Sequence, residues 1–220
     1  MILYQSNLSP FASRCRIQIY AKGIPDVEYR LPPGGMSSDE FKTHNPSGKM
    51  PALAVDGRVL GESEVICEFL EDHFPATPLR PNSAMDRAQV RLLSRVTDLY
   101  ILDPLFKLLP HMNPSDRDQS AVDENVDIVK TNLAILEDYL ARGEYRGGGY
   151  AVGDTLSLAD CAMVPALFVV VNLLPAFGVA APLAATKSLD KYWRDIQQDE
   201  FCSRVLSEMM EGFKASMGGA

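Results

Sequence analysis

Basic charge is what this 220-residue sequence most lacks: 21 lysines and arginines stand against 29 aspartates and glutamates, a formal net charge of −8. A nucleic-acid partner needs a basic surface to neutralise phosphates, so the balance argues against one. Cysteine is sparse as well. Cys15, Cys67, Cys161 and Cys202 stand far apart, with no Cys-x-x-Cys pair and no histidine at zinc spacing. Neither a disulfide framework nor a metal site is expected, and each cysteine reads as a small buried residue. His44, His73 and His111 are scattered, and no His–Asp pair is set to activate a serine nucleophile. The longest apolar stretch, Cys161 to Leu174, falls short of a membrane span and carries Pro165 and Asn172. It reads as a buried core helix, and no membrane partner is expected. Met1 opens straight into a strand-like run, without the charged and apolar regions of a signal peptide. Repeats and low-complexity tracts are also missing. A cytoplasmic globular protein, of one large domain or two small ones, fits the 46% hydrophobic and 23% charged content.

The first part of the chain mixes strands and helices. Ile2-Leu3-Tyr4 reads as a strand, Pro10 to Lys22 as a helix ended by Gly23, and Val27 to Leu31 as a second strand. Ala52–Val55 and Arg58–Leu60 flank Asp56-Gly57, a strong hairpin signal. Ser63 to His73 predicts a helix with Val65, Ile66, Phe69 and Leu70 on one apolar face, stopped by Pro75. Pro75, Pro78 and Pro81 then mark a linker, after which strand patterns vanish. Asp86 to Leu109 reads as one long helix, bent near Pro104. Val122, Val126, Val129, Leu133, Leu136 and Leu140 draw an apolar stripe on the next. Gly147-Gly148-Gly149 predicts a flexible loop, and Ser157 with Asp160 resembles a capping box opening the apolar helix. Leu189 to Gln197 and Cys202 to Phe213 suggest two more helices. The expected organisation is an α/β domain over residues 1–75, a linker over 76–84 and an all-α domain over 85–220.

Three short segments carry chemistry. Ser9-Pro10 ends the first strand and starts a helix: serine is a preferred N-cap, and proline at the first helical position gives up no needed N–H. A helix N-terminus holds unpaired donors and partial positive charge, so the Ser9 hydroxyl there can donate to a thiolate or a phosphate. Asn45-Pro46-Ser47-Gly48-Lys49-Met50-Pro51 leads into the hairpin. A cis Met50–Pro51 bond would turn the Met50 N–H and C=O outward, toward an extended peptide-like ligand. Gly61-Glu62-Ser63 offers a second helix N-terminus for a carboxylate, with a side-chain carboxylate nearby for an ammonium group. Each segment alone has a plain structural reading as a cap or a turn.

In this order and spacing the three segments resemble the glutathione transferase family. Ser9-Pro10-Phe11, followed by Arg14-x-Arg16 and Lys22-Gly23-Ile24, is similar to the start of serine-type transferases of the tau and zeta kinds. Asn45-Pro46-x-Gly48-Lys49-x-Pro51 looks like the family's cis-proline loop. Glu62-Ser63, with Ile66 and Phe69-Leu70, looks like its γ-glutamyl-binding segment, and the resemblance runs from Met1 past Leu174. It implies a thioredoxin-like domain with a mixed four-stranded sheet, joined to a helical bundle, in a homodimer that binds glutathione without a metal. By the same resemblance Ser9 would donate to the glutathione sulfur with Phe11 beside it. The Met50 backbone before Pro51 would pair with the cysteinyl part, Glu62 and Ser63 would hold the γ-glutamyl group, and Lys49 would meet the glycyl carboxylate.

Other residues weigh against these. Ser13, one turn on, is an alternative hydroxyl to Ser9. Cys15 lies between two arginines that favour a thiolate, but the family usually has an aliphatic core residue there. Tyr4 reads as packing. A second pocket, for a hydrophobic electrophile, is expected against the first long helix of the all-α domain, from Tyr100, Asp103, Pro104, Phe106, Lys107 and His111. The implied function is a glutathione transferase. A glutathione-dependent isomerase or ether-cleaving enzyme is the alternative within the class, although Pro10 stands where zeta-type members have a second serine. The alternative outside it is a stringent starvation protein-like factor, a non-catalytic partner of RNA polymerase, whose helical segment Leu156–Cys161 resembles too. Those proteins lack a usable Ser-Pro-Phe start.

Overall fold

The structure, a computed structural model, describes residues 1–143 and 148–217. Of the expected glycine loop, Gly147 lies outside the described residues. Contacts divide the chain into Met1–Leu79 together with the C-terminal segment from Glu200, and Arg80–Asp199. The sequence pattern ran the helical part on to residue 220. An amphipathic stripe says that a helix packs, not which unit it packs on, and the last helix joins the first unit.

The first unit is built on a four-stranded sheet in the order β2-β1-β3-β4. β1 (Ile2–Tyr4) runs parallel to β2 (Glu28–Arg30) and antiparallel to β3 (Ala52–Val55), which is antiparallel to β4 (Arg58–Gly61). The β3–β4 turn takes positive φ at both Asp56 (49°) and Gly57 (73°), the backbone a two-residue hairpin with the strands' twist requires. α1 (Pro10–Ala21) crosses from β1 to β2 and is the central helix: nine of its twelve residues are buried, including Arg14, Arg16 and Gln18. α3 (Ser63–His73) packs against it, and α9 (Glu200–Met217) packs on α1 as well.

Two local expectations change. Val65 is 53% exposed, because the buried face of α3 is Ser63, Ile66, Cys67, Leu70 and Glu71, a helical phase one residue away from the expected one. The segment before the cis-proline loop also contains a short helix, α2 (Asp39–His44). It is capped by Ser38 and anchored by the single buried ring of Phe41, which meets Tyr4 edge-on at 5.5 Å. Six residues with one anchor give no readable period.

The second unit is helical: α4 (Ala84–Val96), α5 (Asp103–Leu108), α6 (Gln119–Arg142), α7 (Leu158–Leu173) and α8 (Lys187–Ile196). α6 buries the six residues of its predicted stripe. α7 with the 3-10 turn that follows it, Leu158–Phe177, is long and apolar enough to cross a membrane by length and composition, yet 13 of the 16 residues of α7 are buried inside the unit, which makes it the core helix. Its Ser157–Asp160 capping box is present. The predicted bend near Pro104 is resolved as a π-helical segment, Thr97–Leu102, joining α4 to α5. Pro104 has no N–H for the Tyr100 carbonyl, and the Asn132 side chain donates to that carbonyl instead, at 2.8 Å.

Candidate functional site

Sheet register brings the three segments to one end of the first unit. Tyr4 pairs with Ala52, and Ala52 with Gly61. Because β3 runs against both neighbours, the residues after Tyr4, before Ala52 and after Gly61 all leave the sheet at the same end. Ser9, the Asn45–Pro51 loop and Glu62-Ser63 therefore converge.

Ser9 is half-buried and caps α1: its Oγ accepts from the Ala12 N–H at 3.3 Å, with Pro10 as the first helical residue. That bond occupies a lone pair and leaves the hydroxyl proton to donate. Ser13, the alternative hydroxyl, is fully buried; it donates to the Asn7 carbonyl at 3.4 Å and accepts from Arg16 at 2.8 Å, so it is committed to structure. Cys15 is likewise fully buried, its Sγ 3.6 Å from the Phe11 carbonyl and 3.7 Å from the Ser63 carbonyl. Tyr4 packs against Phe41 and His44. Phe11 is half-buried, with the Arg14 guanidinium carbon 6.0 Å from its ring centroid.

The Met50–Pro51 peptide is cis. Its loop is held by Asn45, 6% exposed, whose Nδ2 donates to the Lys49 carbonyl at 2.7 Å. Lys49 itself is exposed. On the neighbouring segment Glu62 takes φ 63°, ψ 116°, a conformation costly for any residue with a Cβ, and points an exposed carboxylate beside the start of α3. Ser63 follows at 6% exposure, its Oγ accepting from Arg14 Nη1 at 3.4 Å. Burial of Arg14 and Asn45 was not anticipated. The signal available was a polar side chain repeated inside otherwise apolar or turn-forming runs.

The expected substrate-pocket residues lie in the second unit. Tyr100 is 41% exposed, Asp103 and Lys107 form an exposed ion pair at 2.8 Å, and Pro104 is buried. Phe106 and His111 are half-buried, and His111 Nδ1 accepts from the Asp118 N–H at 3.3 Å. A groove of about 460 Å³, lined by Met1, Ile2, His44, Ala54 and the β3–β4 turn, lies at the opposite end of the sheet from Ser9 and is separate from this site. Among the described residues no group of His, Cys, Asp and Glu side chains is placed to hold a metal.

Residues 3–78 match the family model for the glutathione S-transferase N-terminal domain, and residues 105–200 match that for the C-terminal domain. The chain is 32% identical over 171 residues to rat (Rattus norvegicus) maleylacetoacetate isomerase, covering 74% of this chain and 75% of that one. It is 30% identical over 212 residues to a stringent starvation protein A homolog from Coxiella burnetii, covering 94% and 92%. The tau class glutathione S-transferase of mango superposes with a TM-score of 0.81 at 24% identity, over 100% of this chain and 98% of that one.

Proposed function

Because this chain belongs to the glutathione S-transferase family, we propose that it binds glutathione at the Ser9 end of its sheet and stabilises the thiolate for attack on an electrophilic organic substrate. Ser9 donates its hydroxyl hydrogen bond to the sulfur. The Met50 backbone pairs with the cysteinyl part, Glu62 takes the γ-glutamyl ammonium, and Ser63 with the N-terminus of α3 takes its carboxylate. Lys49 meets the glycyl carboxylate, and Phe11 covers the Ser9 turn.

Magnitudes favour this division of labour. A free thiol of pKa ~8.5 is about 3% ionised at pH 7, and lowering it by about two units takes roughly 2.7 kcal/mol. A hydrogen bond to a charged group supplies about 1.5–3 kcal/mol and a helix terminus about 0.3–1 kcal/mol. Ser9 at the start of α1 suffices without a general base. The observation that carries the reading is this hydroxyl, its acceptor side engaged by Ala12 and its proton uncommitted among the described residues, at the sheet end shared with Glu62 and Ser63.

Tyr100, Asp103, Pro104, Lys107 and His111 are assigned to selection of the electrophile. Isomerisation, the activity named for the rat relative, and ether cleavage would use the same thiolate. A homodimer in the cytoplasm completes the reading, supported by apolar side chains left exposed at Val65, Met85 and Leu92. The second reading, a partner of RNA polymerase, draws on the long match to the stringent starvation protein homolog.

Titration of glutathione against wild type and Ser9→Ala, following thiolate absorbance with pH, separates them. A depressed thiol pKa that returns to its free value in Ser9→Ala establishes the enzyme. Failure of the wild type to bind glutathione moves the function to protein contacts.

A further inference from the structure

Arg16 lies two turns into α1 and is 1% exposed, yet its guanidinium reaches four acceptors within the first unit. It donates to the Asn7 carbonyl at 2.9 Å, Asn7 Oδ1 at 2.7 Å, Ser13 Oγ at 2.8 Å and Glu208 Oε2 at 2.7 Å. Asn7 precedes Ser9 by two residues. Ser13 follows by one turn, and its N–H donates to the Ser9 carbonyl at 2.9 Å. One planar cation thus grips the chain on both sides of Ser9. Gln5 Nε2 adds a second donor to Asn7 Oδ1 at 3.2 Å.

The last helix completes the arrangement. Glu208 on α9 accepts from Arg16, from the Tyr20 hydroxyl at 3.0 Å and from Arg204 Nε at 3.3 Å. One turn further, Gly212 faces the loop itself: a Cβ there would stand 3.2 Å from the Leu8 backbone nitrogen and 3.4 Å from Leu8 Cβ. α9 therefore bears directly on the residue before Ser9.

Burial lowers the Arg16 pKa from its ordinary value, with Glu208 the main opposing influence. Arg16 is buried and Glu208 half-buried; buried ionic groups exchanged for apolar side chains of equal volume are often neutral or stabilising, so stability alone does not account for the cation here. What a five-donor planar fork supplies, and an apolar side chain does not, is fixed geometry.

We propose that Arg16 is a positioning residue for Ser9, and that α9 forms the outer half of its clamp through Glu208 and Gly212. This rests on the reading that Ser9 donates to a glutathione thiolate. Such a donor works only while held within about 0.5 Å of its productive place. Loosening the Asn7–Ser9 turn removes thiolate stabilisation while leaving the contacts of Met50 and Glu62, which hang on other segments, and of Ser63, which Arg14 rather than Arg16 holds.

The test compares wild type, Arg16→Lys and Gly212→Ala, each saturated with glutathione, by thiolate absorbance against pH, with glutathione affinity measured separately by calorimetry. Arg16→Lys keeps the charge and loses the fork. Gly212→Ala leaves every charge in place and presses on Leu8. The expected result is a bound-thiol pKa raised by about one unit, a tenfold loss of thiolate at pH values well below the wild-type bound pKa, with affinity changed far less. A wild-type thiol pKa in Arg16→Lys overturns the proposal and leaves the glutathione reading standing. A wild-type protein that leaves the thiol at its free value overturns both. If Arg16→Lys does not fold, Gly212→Ala decides: a raised pKa supports the clamp, and an unchanged one overturns it.

Discussion

The buried Arg14 guanidinium donates to the Ser63 hydroxyl across 3.4 Å, so the helix begun at Ser9 and the helix begun at Ser63 share one polar joint. The arginine engages a lone pair of Ser63, and the hydroxyl proton is the group that the proposed reading gives to the ligand carboxylate.

Replacing Ser63 with alanine is expected to weaken glutathione binding about tenfold or more, since a hydrogen bond to a charged group contributes about 1.5–3 kcal/mol. The thiol pKa of the glutathione that still binds should match wild type. Calorimetric titration with a pH series checks both, and an unaltered affinity would place the γ-glutamyl group elsewhere.

Glu62 combines an exposed carboxylate with a φ of 63°. Glycine adopts that backbone without a Cβ clash, so Glu62→Gly should gain about 1 kcal/mol of stability. On the proposed reading the same change removes the ammonium partner. A higher melting temperature together with weaker glutathione binding is the expected pair of results; a lower melting temperature would contradict the account of the backbone.

Asn45→Ala deletes the donor to the Lys49 carbonyl, inside the loop that carries Met50 and Pro51. Losing that hydrogen bond should cost about 0.5–1.5 kcal/mol in urea unfolding. Glutathione affinity should fall with it, because the Met50 backbone loses its support. A variant with normal stability and normal affinity would show that the loop holds itself.

Asp160 accepts from the Ala151 and Ser157 N–H groups and the Ser157 hydroxyl, each at 2.8 Å, and from the Tyr192 hydroxyl at 2.9 Å. Burial nevertheless pushes its pKa up from 3.8 to about 6. A carboxyl that titrates higher in the fold than in the unfolded chain favours folding in its protonated form, so its contribution declines as pH rises from about 4 to 6 and is flat above. The stability of wild type relative to Asp160→Asn, which has no such titration, should therefore fall by roughly 3 kcal/mol across that window. Urea midpoints of both proteins at several pH values measure the difference; a gap that widens with pH would reverse the assignment.

Much of the fold was legible where local chemistry is strong. Asp56-Gly57 announced its turn, Ser9-Pro10 announced the start of α1, and the stripe from Val122 to Leu140 matched the buried face of α6. α2 was not, because Phe41 alone anchors it, and Val65 was misplaced because a two-residue apolar pair fits two helical phases. The three segments of the proposed site were readable because each is local in sequence, and the sheet register brings them to one end. Their support was not: Arg16 meets Glu208 across 192 residues, and Asn45 holds a carbonyl that no residue-type pattern singles out. Long-range partners of a buried charge leave no periodic trace.

The π segment at Thr97–Leu102 carries a consequence for divergence. One residue more than an α-helical path requires is stored there, so deleting one would restore an α-helical turn and leave the rotational phase of everything after it unchanged. Tyr100 sits within that segment and Asp103 and Lys107 just beyond it. Loss of a single codon within it would thus be absorbed locally, with the Asp103–Lys107 pair and the packing of α4 both kept. Such a helix can change its length by one residue in one genetic step, without a compensating substitution at any packed position.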